Sequence, residues 1–193
     1  MARQAARHAA PGPYPSLLVL TDPHRTPDPL VLAHRLPTGS ALIYRHYGTP
    51  QRFNIARTLR RITAHRGAAL LVSADLDLAR SCDADGIHWP ERLYADAARA
   101  RVRGCGLWFT GAAHSLSALH RAGAAGLDAA LLSPVFPSKS PSATHPKGVV
   151  RTRLAIRQST IPVYALGGLD ETKIKRLADA GAGGFAVVGA MER

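Results

Sequence analysis

Two stretches near the end of the chain carry an apolar run straight into glycine: "PVYALGGLD" (162–170) and "GFAVVGAM" (184–191). Glycine lacks a Cβ, so main-chain N–H groups at Gly167, Gly168 and Gly189, with Val188 beside them, can come close to an anion, and a helix beginning there adds a favourable dipole. Glycine also ends strands for steric reasons alone; it is the recurrence after two successive runs that points to a phosphate. Other apolar runs close on polar residues: Asp22 in "VLTDP", Arg45 and His46 after "ALIY", Ser73 in "LLVS", His88 in "GIHW" and His114 in "TGAAHS". An arginine at such a point presents a planar fork suited to an anion. Histidine, with an ordinary pKa of about 6.5, suits proton transfer, although each histidine reads equally well as a rim residue with its hydrogen bonds satisfied. The loop "SPVFPSKSPSATHPKG" (133–148) has neither strand nor helix periodicity. It reads as a lid in which Ser138, Lys139 and Ser140 offer donors to a phosphorylated ligand, or as plain flexible chain.

These residues need a scaffold that brings strand ends together. Short, almost unbroken apolar runs recur at 17–20, 41–45, 69–73, 86–89, 107–111, 129–133, 162–166 and 184–188, without the alternation of a half-exposed strand. Strands buried on both faces of a parallel sheet look like this. Segments with helical spacing lie between them, at 50–66, 76–84, 114–125, 149–159 and 170–182, the last opening on Asp170 as an N-cap. Eight βα units predict a compact (β/α)8 TIM barrel over residues 16–193, with a short final helix after the last strand; an open doubly wound sheet is the alternative. Residues 1–15, polar, basic and proline-containing, read as a flexible lead-in without the apolar core of a secretory signal.

With 25 Lys and Arg against 13 Asp and Glu, the chain has a net charge of +12. Phosphorylated metabolites, nucleic acid or an arginine-rich surface all answer to that charge. The basic residues fall on helix faces in "RTLRRITAHR", "RARVR" and "KIKR" and do not alternate with aromatics, so a nucleic-acid-binding reading rests on net charge alone. No apolar run approaches the roughly 18–20 residues that span a bilayer, and a cytoplasmic location without membrane partners is expected. Cys82 and Cys105 lack metal-ligand spacing and read as incidental thiols.

The segments "LLVLTD", "ADGIHWPER", "AAHSLSAL", "LLSPVFPSKS", "PVYALGG" and "GFAVVGAM" resemble, in order and spacing, the thiamine phosphate synthase/TenI superfamily from about residue 17 onward. The resemblance implies a (β/α)8 barrel that joins an aminopyrimidine diphosphate to a thiazole phosphate, releases pyrophosphate and uses Mg²⁺; members often self-associate. It casts Gly167, Gly168, Val188 and Gly189 as the thiazole-phosphate cradle, Ser138 and Ser140 as the synthases' threonine pair, and Arg45 as the arginine of their Gln-Leu-Arg-x-Lys strand. Departures accompany it. The strand's glutamine and lysine are Ile43 and Tyr47, and the lysine ending the threonine loop is Pro141, with Lys139 nearest to it. The metal aspartate after strand three is replaced in Ser73-Ala74, the one after strand four in "WPER", which leaves Asp22, Asp75 and Glu91 as candidate ligands. The resemblance implies a divergent synthase in which Arg45, Lys139, His88 or His114 stands in for metal charge. The alternative is a TenI-like thiazole-phosphate-binding protein, tautomerase-like or regulatory, without synthase activity; the tautomerase's histidine position is Pro134 here.

Overall fold

The computed structural model describes residues 1–9, 12–103, 106–138, 145–177 and 179–189. Among them the apolar runs form β1 (Leu17–Leu20), β2 (Ala41–Tyr44), β3 (Ala69–Ser73), β4 (Gly86–Trp89), β5 (Trp108–Ala113), β6 (Ala129–Leu132), β7 (Val163–Leu166) and β8 (Gly184–Val188). Each strand pairs in parallel with the next, and β8 pairs with β1 through Leu17↔Phe185 to Leu20↔Val188, which closes the barrel. The expected fold is present, and the open sheet is excluded by that last pairing.

The unbroken apolar character of the strands has a direct cause. In β1, Leu17 and Val19 face the helical layer while Leu18 and Leu20 face the barrel interior, and all four are buried. The interior is filled by Leu18, Leu20, Ile43, Leu71, Leu131 and the rings of Trp108 and Tyr164, with alanine at positions 41, 129 and 186. At the amino-terminal end, Tyr14 stacks on Trp108 with centroids 4.5 Å apart, and the Tyr164 hydroxyl donates to the Pro15 carbonyl. These aromatics close the floor.

The outer layer comprises α2 (Pro29–His34), α3 (Arg52–His65), α4 (Leu76–Ser81), α5 (Tyr94–Arg103), α6 (Leu116–Ala124), α7 (Gly148–Gln158) and α8 (Glu171–Arg176). Asp28 caps α2 by accepting from the Leu30 amide at 2.8 Å, with Pro29 at the first helical position. A further helix, α1 (Ala2–His8), corrects the expected lead-in: with Ala5 buried, it packs on β1, β8 and α8, where a helix following β8 would lie in a regular alternation. The short final helix expected after β8 falls outside the described residues. No helix among those described is long and apolar enough to cross a membrane.

Candidate functional site

Inward-facing positions alternate along each strand, so the last one on each projects into the carboxyl-terminal mouth. There the side chains change character. Ile43 is followed inward by Arg45, Leu71 by Ser73, Gly86 by His88, Trp108 by Thr110, and Leu131 by Ser133. A cavity of about 460 Å³ opens above this layer, lined by Asp22, Arg25, Arg45, His88, His114 and Ser138 together with Gly167, Gly168 and Val188.

Arg45 is held rather than swinging. Its Nε donates to the Thr21 carbonyl at 2.8 Å, its amide donates to the Thr21 hydroxyl, and one terminal nitrogen lies 3.5 Å from the Asp22 carboxylate. The other guanidinium N–H groups donate to no described residue. Burial, seconded by the Arg25 charge, pulls its pKa below the ordinary arginine value. Asp22 works on two sides: one oxygen accepts from the His24 and Arg25 amides and orders the loop after β1, and the other faces Arg45. Burial opposes ionisation of Asp22, yet those amides and the Arg45 and Arg25 charges hold its carboxyl below the usual range.

His88 is buried, and its Nδ1 lies 2.9 Å from the Thr110 hydroxyl, which in turn donates to the Ile87 carbonyl. That network assigns the proton to Nδ1 and leaves Nε2 as an acceptor. Burial first, then the Arg45 charge, push the imidazole pKa down to about 3. This corrects the expectation that His88 stands in for metal charge, because it is neutral at physiological pH. His114 lies at the opposite rim, half exposed, with Nδ1 2.9 Å from Glu91.

At the β7 turn Gly167 and Gly168 take positive φ angles of 103° and 64°. The amides of Gly168 and Leu169 donate to no described residue, so they remain available to an anion. The requirement for glycine at 168 has a second origin, in packing: a Cβ there would lie 2.8 Å from the Phe136 carbonyl oxygen. Gly189, which the sequence placed in the cradle, has its amide engaged elsewhere. Its amide donates to the Leu20 carbonyl at 3.1 Å, and a Cβ would meet the Arg25 side chain at 3.4 Å. It adds a hydrogen bond to the β8–β1 seam, with the Arg25 stem at ordinary contact distance. Lys139 and Ser140 lie outside the described residues.

The carboxylates do not fit a protein-held Mg²⁺. Asp22 serves Arg45 and its own loop; Asp75 caps α4 and lies 2.8 Å from Arg52; Glu91 is bonded to His114 and Arg121. No group of three His, Cys, Asp or Glu able to hold a metal ion occurs among the described residues. At the third-strand end the Arg52 guanidinium donates to the Ser73 carbonyl, and the Tyr47 hydroxyl meets the Ser73 hydroxyl at 2.5 Å. Arg52 and Arg25 escaped the sequence reading; the only signal for Arg25 was its place just after the "TDP" turn that ends the first apolar run.

The family model described as thiamine monophosphate synthase matches residues 17–191. A thiamine-phosphate synthase of Chloroflexus aurantiacus is 32% identical over 76% of this chain and 68% of its own. One of Lactococcus lactis is 29% identical over 72% of this chain, which spans 64% of that relative's length. The solved structure of a thiamine phosphate pyrophosphorylase from Pyrococcus furiosus superposes with a TM-score of 0.75 at 26% identity, covering 90% of this chain and 85% of that one.

Proposed function

Since the chain belongs to the thiamine monophosphate synthase family, we propose that it is a divergent thiamine-phosphate synthase acting in thiamine biosynthesis, on an aminopyrimidine diphosphate and a thiazole phosphate. The observation that carries the reading is the placing of two anion-receptive groups on one cavity: the amides of Gly168 and Leu169, which donate to no described residue, and the anchored fork of Arg45. The thiazole phosphate sits on the amides and the diphosphate against Arg45.

In the substitution, the bond between the pyrimidine methylene and the diphosphate oxygen breaks, and its electron pair leaves with the diphosphate. The thiazole nitrogen then donates its pair to the methylene cation, forming the new C–N bond. Arg45 stabilises negative charge as it develops on the departing oxygen, and it is pre-oriented by Thr21 and Asp22 so that no reorganisation is needed at that moment. Neutral His88 offers Nε2 as an acceptor to an amino group such as the pyrimidine's, and it neither takes up a proton nor repels the cation. The reacting atoms are thereby held together, and positioning supplies much of the rate.

The test is to incubate the protein with both substrates, with Mg²⁺ and separately with a chelator, and to look for thiamine phosphate and pyrophosphate. Both products are expected in equal amounts with Mg²⁺, while thiazole-phosphate binding alone is unchanged by the chelator. Binding of thiazole phosphate with no product under either condition overturns the synthase reading in favour of a TenI-like binding protein.

A further inference from the structure

We propose that Arg25, on the loop between β1 and α2, is the side-chain half of the phosphate subsite and makes this barrel selective for a phosphate monoester dianion at the β7–β8 rim. This rests on the phosphate-binding reading above and assigns that site a specificity residue.

Three observations carry it. First, Arg25 lines the same cavity as Gly168 and Leu169, on the β8 side of the mouth. Its stem runs alongside Gly189, where an added Cβ would lie 3.4 Å from the Arg25 Cβ and 3.8 Å from its Cδ. Those are ordinary contact distances, so the arginine stem packs against the end of β8. Second, the loop bearing Arg25 is fixed. Asp22 accepts from the His24 and Arg25 amides, Thr26 exchanges hydrogen bonds with Asp22 in both directions, and His46 bridges the Thr21 hydroxyl and the Thr26 carbonyl. The backbone that bears Arg25 therefore needs little ordering when a ligand arrives, and only its side chain has to settle. Third, charge at this rim is unbalanced. Arg25 and Arg45 converge near one carboxylate, Asp22, which Arg45 already faces at 3.5 Å, and no described residue accepts a hydrogen bond from the Arg25 guanidinium. An anion on the Gly168 and Leu169 amides supplies the missing counter-charge.

Two neutral amides present to a phosphate roughly what they present to any oxyanion. A guanidinium adds charge and a second pair of parallel donors, which favours the dianion. Arg45, tied to the β1–β2 seam, serves the other subsite.

The experiment is calorimetric titration of wild type, Arg25→Gln and Arg25→Lys with thiazole phosphate, with the unphosphorylated thiazole alcohol and with inorganic pyrophosphate. Arg25 is exposed, and unchanged melting temperatures establish that the variants are folded. Arg25→Gln is expected to bind thiazole phosphate about tenfold or more weakly, the loss of one charge-assisted contact. Arg25→Lys is expected to recover part of that affinity, while the alcohol and pyrophosphate bind as to wild type. Equal affinity of wild type and Arg25→Gln for thiazole phosphate overturns the proposal and leaves the amide site standing; a wild type that itself fails to bind thiazole phosphate removes the phosphate-site reading and this inference with it. Equal weakening for phosphate and alcohol also overturns it, because Arg25 would then act on ring packing.

Discussion

His88 allows the buried layer of the mouth to be tested through stability alone. Its imidazole is enclosed, bonded to Thr110 and held near a pKa of about 3 by burial and by the Arg45 charge, against an unfolded value of 6.5. The sign follows from proton counting. Between those two values the unfolded chain binds a proton that the folded one refuses, so stability rises with pH across the interval and is lost as pH falls below 6.5. At pH 5 the unfolded imidazole is almost fully protonated and the folded one is not, so the cost relative to pH 7 is about 2 kcal/mol, at about 1.4 kcal/mol per pKa unit. Because pH 5 lies well above the folded value, that figure is set by the unfolded pKa. Replacing the residue by asparagine in His88→Asn keeps a nitrogen near the Thr110 hydroxyl and abolishes titration. His46, whose pKa burial also lowers, titrates in both proteins and cancels in the difference. Urea unfolding of wild type and variant at pH 7, 6 and 5 should therefore show the variant less stable at pH 7, from the lost packing, with the gap closing by about 2 kcal/mol at pH 5. Parallel pH profiles would refute the argument, since they would mean that His88 is protonated in the folded protein.

Arg45→Ala is expected to weaken pyrophosphate binding by about tenfold to a hundredfold while costing under about 1 kcal/mol of stability, because its ion pair with Asp22 is partly exposed and long at 3.5 Å; comparable losses of both would make Arg45 structural. Gly168→Ala is expected to lower stability by about 2 kcal/mol, from left-handed strain at φ 64° and from crowding the Phe136 carbonyl, and to weaken phosphate binding together with the melting temperature. Unchanged melting would show that the turn tolerates a side chain.

The barrel was legible because of its burial pattern. Strands covered on both faces leave no room for polar alternation, and glycines and prolines punctuate them, so strand positions read from the chain fall within a residue or two of those observed. Helices were less legible wherever their signal overlapped that of turns. "TDPHRTPDPLVLAHR" is not among the segments read as helical, yet Asp28-Pro29 is a cap followed by a first-turn proline, and α2 begins there. α1 was hidden for a different reason. Its short basic sequence has little intrinsic tendency to fold alone, and it is packing on β1, β8 and α8 that holds it.

The site divides along the same line. Arg45 and His88 could be picked out because each closes an apolar run at an inward position, and period-two geometry then carries them into the mouth. What the chain could not reveal is which carboxylates were already engaged. Asp75 and Glu91 have the right chemistry for a cation, but arginines distant in sequence, Arg52 and Arg121, come to meet them. Gly189 makes the same point from the opposite direction. A glycine after a strand signals only that something must come close, whether an anion, a main-chain carbonyl or a side chain. At position 189 it is the Leu20 carbonyl, which meets the amide, and a φ of 82° disfavours any side chain there. The glycine therefore serves the seam between β8 and β1 and not an anion. Gly189→Ala, strained at φ 82°, should lower the melting temperature while leaving phosphate affinity close to that of wild type, whereas a parallel loss of phosphate affinity would return the position to the cradle.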